Sequence, residues 1–312
     1  MRYFLSVAIC VIVSLVILVA AARYVGGIWI FTAISSLQLH LAVTCTLAAV
    51  AAFLLHRSLL PVLLLAASLA LGLHALWMTR EMIQQPLAGD DIAAPALRVM
   101  SFNILSKNRE NAGAIRDLIL ASGADVVNVL EAMPLRGELG ALSRTYPHRI
   151  GCGEMTKTCD LMVLSKTPLT SPSVHSLSTI FENRMILSDL SWQGRVVHLA
   201  AIHTTKPYFD EFQTVELTNA ARMLDRIEGP LLVAGDFNAS SLAPNIRMFL
   251  RWTGLRTASW EPPTWPDWGG WFGVPIDHVY VREPLHIRSL QRLPSSLGSN
   301  HYGLVADIVL AP

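Results

Sequence analysis

The chain is poor in charge. Of 312 residues only 15% are Asp, Glu, Lys or Arg, while 52% are hydrophobic and the mean hydropathy is +0.44. That balance excludes an ordinary soluble globule, in which about a quarter of residues are charged. A surplus of either sign is also missing. With Arg2, Arg23, Arg57 and Arg80 set aside from 24 basic residues, and Glu81, Asp90 and Asp91 from 23 acidic ones, the rest of the chain holds twenty of each. A neutral remainder argues against a broad nucleic-acid footprint, which shows as clustered Lys and Arg. Cysteine is scarce, at four residues, and no spacing suits a zinc site. No internal repeat points to a solenoid.

The apolar excess is confined to the first quarter of the chain. Residues 3–22, about 36–55 and about 59–78 form three stretches almost free of charge, each near the ~20 residues that span a ~30 Å hydrocarbon core. His40 and His74 stand near stretch ends, where an interfacial position suits them. A cleaved signal peptide competes for residues 1–22, since Arg2 precedes an apolar run ending in Ala20-Ala21-Ala22. Two further stretches would still anchor the chain. Arg2 and Arg57 fall on one side and Arg23 and Arg80 on the other, so the positive-inside comparison is nearly tied. His56 and the amino terminus tilt it toward an inside amino terminus, which puts everything after residue 80 outside the cytoplasm. Cys152 and Cys159, close together around Gly153, would be bridged in an oxidising compartment; the alternative is two unrelated thiols.

We therefore divide the chain into an anchor (1–80), a polar linker (81–96) with Pro86, Gly89, Asp90, Asp91 and Pro95, and one domain (97–312). Apolar or alternating runs predict strands at about 97–104, 125–131, 160–165, 185–191, 195–203, 230–235, 277–282 and 303–310. Helical periodicity predicts helices at about 110–121, 136–144, 210–227 and 243–253. Mixed hairpins and βα units favour an α+β sandwich with helices outside two sheets.

The run Leu231-Leu232-Val233-Ala234-Gly235 delivers Asp236 and Asn238 to one loop. Residues two apart at a strand end face the same side, so a carboxylate that activates water can stand beside an amide that donates to a phosphoryl oxygen. The same letters also describe a strand ending in an Asx-turn. Other runs end alike: Asn103 after Val99–Phe102, Glu131 after Val126–Leu130, His203 after Leu199–Ile202, then Asp277 in Ile276-Asp277-His278-Val279 and His301 in Ser299-Asn300-His301. Six runs closing on Asn, Glu, His or Asp are what a metal-assisted site at one edge of a sandwich would produce. Read singly, Asn103 could cap a turn and Glu131 could merely end a strand. His278 should face away from Asp277 and be structural.

With Gly-Asp-Phe-Asn and Ile-Asp-His-Val in this order, residues 97–310 resemble the endonuclease/exonuclease/phosphatase superfamily, the magnesium-dependent phosphoesterases related to DNase I, apurinic endonucleases, inositol-polyphosphate phosphatases and neutral sphingomyelinases. The resemblance implies a four-layer αββα sandwich, preceded here by three transmembrane helices as in a membrane-anchored bacterial branch. It places the chain in the bacterial inner membrane, multi-pass, with the domain on the extracytoplasmic side. It implies Mg²⁺ or Mn²⁺ held by Glu131, the Asn103 carbonyl and Asn300, Asp236 as base, and Asn238 and His301 on the phosphoryl charge. Asp277 would orient His301, and His203 would protonate the leaving group. The family has Ser-Asp-His where this chain has Ser299-Asn300-His301, which puts metal affinity in question.

An aromatic loop, Trp260 to Phe272, precedes Asp277. Trp268, Trp271 and Phe272 could meet an apolar substrate or the bilayer, Trp265 reads as packing, and Tyr208 and Phe209 could line the same mouth. Arg184 is either a phosphate contact or a solvated strand end. The expected activity is hydrolysis of a phosphate ester, lipid-linked or a phospholipid. The alternatives are an exported nuclease and a catalytically weak binding protein. The expected partners are the bilayer and that ester, ahead of nucleic acid.

Overall fold

The computed structural model describes residues 1–311 except 27, 28, 30, 88 and 90–92; Asp90 and Asp91 of the expected linker lie outside the described residues. Three long helices open the chain, α1 (Arg2–Ala21), α3 (Gln38–Leu55) and α4 (Leu59–Met82), each long and apolar enough to cross a membrane. They pack through small and thiol side chains such as Cys10, Cys45, Ala49 and Ala52, and leave Leu15, Leu47, Leu54 and Leu73 exposed. The expected second span begins two residues late. Before it stands a short helix, α2 (Phe31–Ser36), which the apolar run concealed. The helix α4 runs four residues past the expected span and passes directly into the domain, where Met82 is buried in a core cluster.

The domain contains two sheets between helices. One carries β1 (Leu97–Asn103), β2 (Val126–Leu130), β3 (His148–Gly151), β4 (Leu161–Ser165), β10 (Leu285–Arg292) and β11 (Leu304–Leu310), in the order β10-β11-β1-β2-β4-β3. The other carries β5 (Leu169–His175), β6 (Met185–Trp192), β7 (Arg195–His203), β8 (Leu231–Asp236) and β9 (Asp277–Arg282), in sequence order. The helices α5 (Ala112–Ala121) and α6 (Leu139–Leu142) cover the first sheet, and α7 (Phe212–Leu224) and α8 (Pro244–Thr253) cover the second. This is the four-layer αββα sandwich, and the covering of both faces explains why β8 is buried at every position.

Alternation along the strands fixes the site. On β1, Leu97 and Val99 enter the core between the sheets, whereas Met100 and Phe102 face the helices. On β7 the inward set is Val197, Leu199 and Ala201, on β8 Leu232 and Ala234, and on β9 Val279 and Val281. Extending each series to its strand end brings Asn103, His203, Asp236 and Asp277 onto the inter-sheet face where apolar filling stops. His278, off by one, instead joins the helix side with Phe237 and Tyr280.

Candidate active site

Strand register assembles the centre. His203 pairs with Asp236 across the parallel β7–β8 ladder, and Asp236 pairs with Asp277 across the antiparallel β8–β9 ladder. Gly235 makes this approach possible: at φ +156° an added Cβ would stand 1.8 Å from the Ile202 carbonyl oxygen.

Asp236 lies 1% exposed between two histidines. Its Oδ2 is 3.8 Å from His203 Nε2 and 3.8 Å from His301 Nε2. Each imidazole has a carboxylate behind it: His301 Nδ1 donates to Asp277 at 2.8 Å, and His203 Nδ1 donates to Asp160 at 2.8 Å. Two Asp–His pairs thus flank one central carboxylate. Asp236 also accepts the Asn103 amide at 2.9 Å and the Asn238 backbone N–H at 2.8 Å, so the Asx-turn and the site are the same structure. Asn238 takes φ +51° and donates its amide to the Thr204 carbonyl at 2.9 Å, leaving its second N–H for another acceptor.

Charge follows from burial and these partners. Burial and the charge of Asp277 push the Asp236 carboxyl up, against the pull of His301, His203 and the Asn103 amide. Burial opposes a charge on His301, but Asp277 and Asp236 prevail and raise it to about 9. At neutral pH this imidazolium is a fixed positive donor beside a basic carboxylate. Glu131 sits at φ +53° just past β2. Burial there disfavours ionisation, yet the Ser106 backbone N–H at 2.8 Å and the nearby His203 hold the carboxyl below its usual range.

The donor set suits a hard divalent cation. Mg²⁺ takes oxygen ligands, keeps several waters and uses one or two carboxylates. Glu131 supplies an ionised carboxylate, and Asn300 lines the same cavity with a buried Oδ1 that has no hydrogen-bond partner among the described residues. The Asn103 carbonyl differs from the expectation: its oxygen accepts the Leu105 N–H at 3.1 Å, and its amide bridges Glu131 and Asp236. Asp236, Asp277 and His301 also offer ligand atoms within 4.8 Å of one another. That cluster already holds an imidazolium between its two carboxylates, which leaves Glu131 and Asn300 as the better oxygen pair.

The structure therefore gathers Asn103, Glu131, His203, Asp236, Asn238, Asp277, Asn300 and His301, and leaves Arg184, Trp268 and Trp271 outside. Arg184 is paired with Asp160 at 3.2 Å and stacks on Phe181 at 3.9 Å, so its charge steadies the carboxylate behind His203 and does not reach the cavity. Burial raises the Asp160 carboxyl, but His203 and Arg184 together bring it below the usual value. Trp268 is 86% exposed and Trp271 stacks on Arg292, both off the cavity. Trp265, expected only to pack, lines it, as does Tyr208.

Three features went unread in the sequence. Asp160 stands immediately before β4, with no neighbouring motif to mark it. Ser299 ties the end of β1 to the loop that carries His301, donating to the Asn103 backbone carbonyl at 2.7 Å and accepting the His301 N–H at 3.1 Å. The cavity, of about 320 Å³, also takes part of its wall from the N-terminal helical segment, through Ala33, Ser36 and Leu37.

The profile of the Endonuclease/Exonuclease/phosphatase family matches residues 100–301. No curated protein sequence matches the chain. Among solved structures, the human Nocturnin catalytic domain with bound sulfate superposes with a TM-score of 0.58 at 22% identity, covering 70% of this chain and 96% of that one. A Staphylococcus aureus beta toxin variant with bound magnesium ions superposes at 0.53 and 14%, covering 68% and 99%. Sphingomyelinase C from Streptomyces griseocarneus superposes at 0.50 and 17%, covering 68% and 99%. At these identities the likeness concerns the fold.

Proposed function

The chain belongs to the Endonuclease/Exonuclease/phosphatase family, and from that premise we propose that it is a membrane-anchored, divalent-metal-dependent phosphoesterase acting on a lipid-linked phosphate or phospholipid. The observation that carries this reading is the central Asp236 between two Asp-backed histidines, facing a cavity that also holds Glu131, Asn238 and Asn300.

Glu131 and Asn300 would hold Mg²⁺ or Mn²⁺, which when bound polarises a phosphoryl oxygen. Asn238 donates its free amide N–H to another phosphoryl oxygen, and the His301 imidazolium offsets the charge gathering there. Asp236 takes a proton from the attacking water as the water oxygen bonds to phosphorus. The ester oxygen departs as its bond to phosphorus breaks and receives a proton from His203. Asp277 and Asp160 hold the two imidazoles in register and keep their Nε2 atoms turned toward Asp236.

The membrane setting rests on the three apolar helices and on the exposed aromatic side chains Trp268, Trp271 and Phe272, which suit an interfacial belt. Cys152 and Cys159 are joined in a disulfide, in keeping with an extracytoplasmic domain. Neutral composition and an apolar cavity wall favour a lipid over a polynucleotide.

The test is a substrate comparison. The full-length chain in detergent micelles with Mg²⁺ should release phosphate or a phosphorylated headgroup from polyprenyl phosphate or phospholipid, and D236N should not. Cleavage of DNA alone, lost in D236N, would replace this reading with that of a nuclease.

A further inference from the structure

The three helices do more than tether. The short α2 and the turn after it fold back over the domain and are fastened to the loop that carries the catalytic pair. The Ser240 N–H donates to Ser36 Oγ at 3.1 Å, the Ser240 hydroxyl donates to the Ser36 carbonyl at 3.3 Å, and Arg23 donates to the Leu242 carbonyl at 2.9 Å. Ser240 is two residues from Asn238. On the other margin, His40 Nε2 meets the Phe272 carbonyl at 3.1 Å and joins the start of α3 to the aromatic loop. The domain end of the helix bundle therefore lies directly beside the cavity.

The cavity is chemically divided. Glu131, Lys206, Asp236, Asn238, Asn300 and His301, with Ser36, supply its polar groups, whereas the remaining wall is apolar or aromatic: Ala33 and Leu37 from the anchor, with Tyr208, Trp265, Val274 and Ile276 among those from the domain. A small soluble ester needs only the polar part. The apolar wall is continuous with it and begins at the end of a membrane-spanning helix, where lipid tails are at hand.

We propose that residues 33–37 of the anchor form a specificity element of the active site, the wall against which the hydrocarbon chain of a membrane phosphate ester lies as its phosphate reaches Asp236. This rests on the phosphoesterase reading above and deepens it. The occupant is a long chain bearing a phosphate, taken from the bilayer at the level of the Trp268–Phe272 loop. The anchor thus selects the substrate as well as bringing the domain to it.

The experiment uses the full-length chain reconstituted in vesicles with Mg²⁺, and reads the ratio of kcat/KM for a C55 polyprenyl phosphate and for phosphatidylcholine to that for water-soluble bis(p-nitrophenyl) phosphate. Ala33→Trp narrows the apolar wall, and Leu37→Asn, at an exposed position, makes it polar without a packing demand. Both should lower the lipid-to-soluble ratio about tenfold, the equivalent of withholding roughly two methylenes from burial. The change should lie mainly in KM, with weaker binding of a fluorescent long-chain phosphate to the D236N background. Leu54→Trp, on the exposed face of α3, should leave the ratio as it is. Whichever lipid shows the drop identifies the chain type. If both folded variants keep the wild-type ratio, or lose lipid and soluble turnover in equal measure, the anchor wall plays no part in selection and this inference fails while the phosphoesterase reading stands. If the wild type hydrolyses the soluble diester or DNA but neither lipid, the lipid reading fails first and takes the inference with it.

Discussion

Replacing Gly235 by alanine tests whether the β7–β8 approach governs the site. The added Cβ would lie 1.8 Å from the Ile202 carbonyl oxygen and 2.8 Å from its carbon, where real Cβ contacts below 3.0 Å are essentially never seen. Both atoms are backbone, so no side chain can swing aside and the strands must part by more than an ångström. The next row of this ladder is the His203–Asp236 pair. Overpacking of this kind costs about 1–3 kcal/mol, or roughly 2–12 °C in Tm for a domain of this size. A misplacement near 1 Å among reacting groups costs about a hundredfold in rate. We expect Gly235→Ala to fold, melt several degrees lower and lose about two orders of magnitude in kcat on a soluble phosphodiester. Gly140→Ala, where nothing lies within 4 Å of the added carbon, should match the wild type. Differential scanning of the detergent-solubilised chain, with steady-state kinetics on the same sample, reads both. A Gly235→Ala protein within 1 °C and twofold of the wild type would refute the claim that this contact sets the catalytic geometry.

Met82→Ala should destabilise the domain by about 2–5 kcal/mol, because the last residue of α4 is 1% exposed among Leu217, Leu231 and Phe249; a chemical-denaturation midpoint unchanged from wild type would show that α4 is only tethered to the domain core. Asp160→Asn removes the carboxylate behind His203 and should lower kcat by about tenfold or more with KM little altered, and equal kcat in the two proteins would exclude an orienting role. Asn300→Asp adds a carboxylate to the cavity that Glu131 also lines and should lower the Mg²⁺ concentration giving half-maximal activity; an unchanged or higher requirement would remove Asn300 from the metal shell.

The fold was legible where burial is complete and obscure where it is not. The three strands absent from the sequence reading, β3, β5 and β10, all stand at sheet edges. There Pro172, His148 and Arg288 are tolerated because one side of the ladder is unpaired, so no apolar alternation marks them. The antiparallel sense of β4 hid Asp160: Leu161 pairs with Leu130, so the start of β4 lies at the edge where β2 ends. Asp277 occupies the equivalent place at the start of β9 and was found through its neighbours in sequence. The share of the cavity that comes from the N-terminal helical segment left no signal, since Ser36 and Ser240 are 204 residues apart and each is an unexceptional serine. Arg184 misled because a cation at the start of a strand is equally suited to a phosphate and to a neighbouring aspartate.

The central claim is that Asp236, held between two Asp-backed histidines beside a cation site, hydrolyses a phosphate ester drawn from the bilayer. Its most direct measurement is phosphate or headgroup release from long-chain substrate in vesicles by the full-length chain, wild type against D236N, with and without Mg²⁺. The account predicts turnover only for the wild type and only with the divalent ion, the substitution costing at least about a thousandfold. Equal turnover by D236N, or undiminished turnover by the wild type in excess chelator, would contradict it.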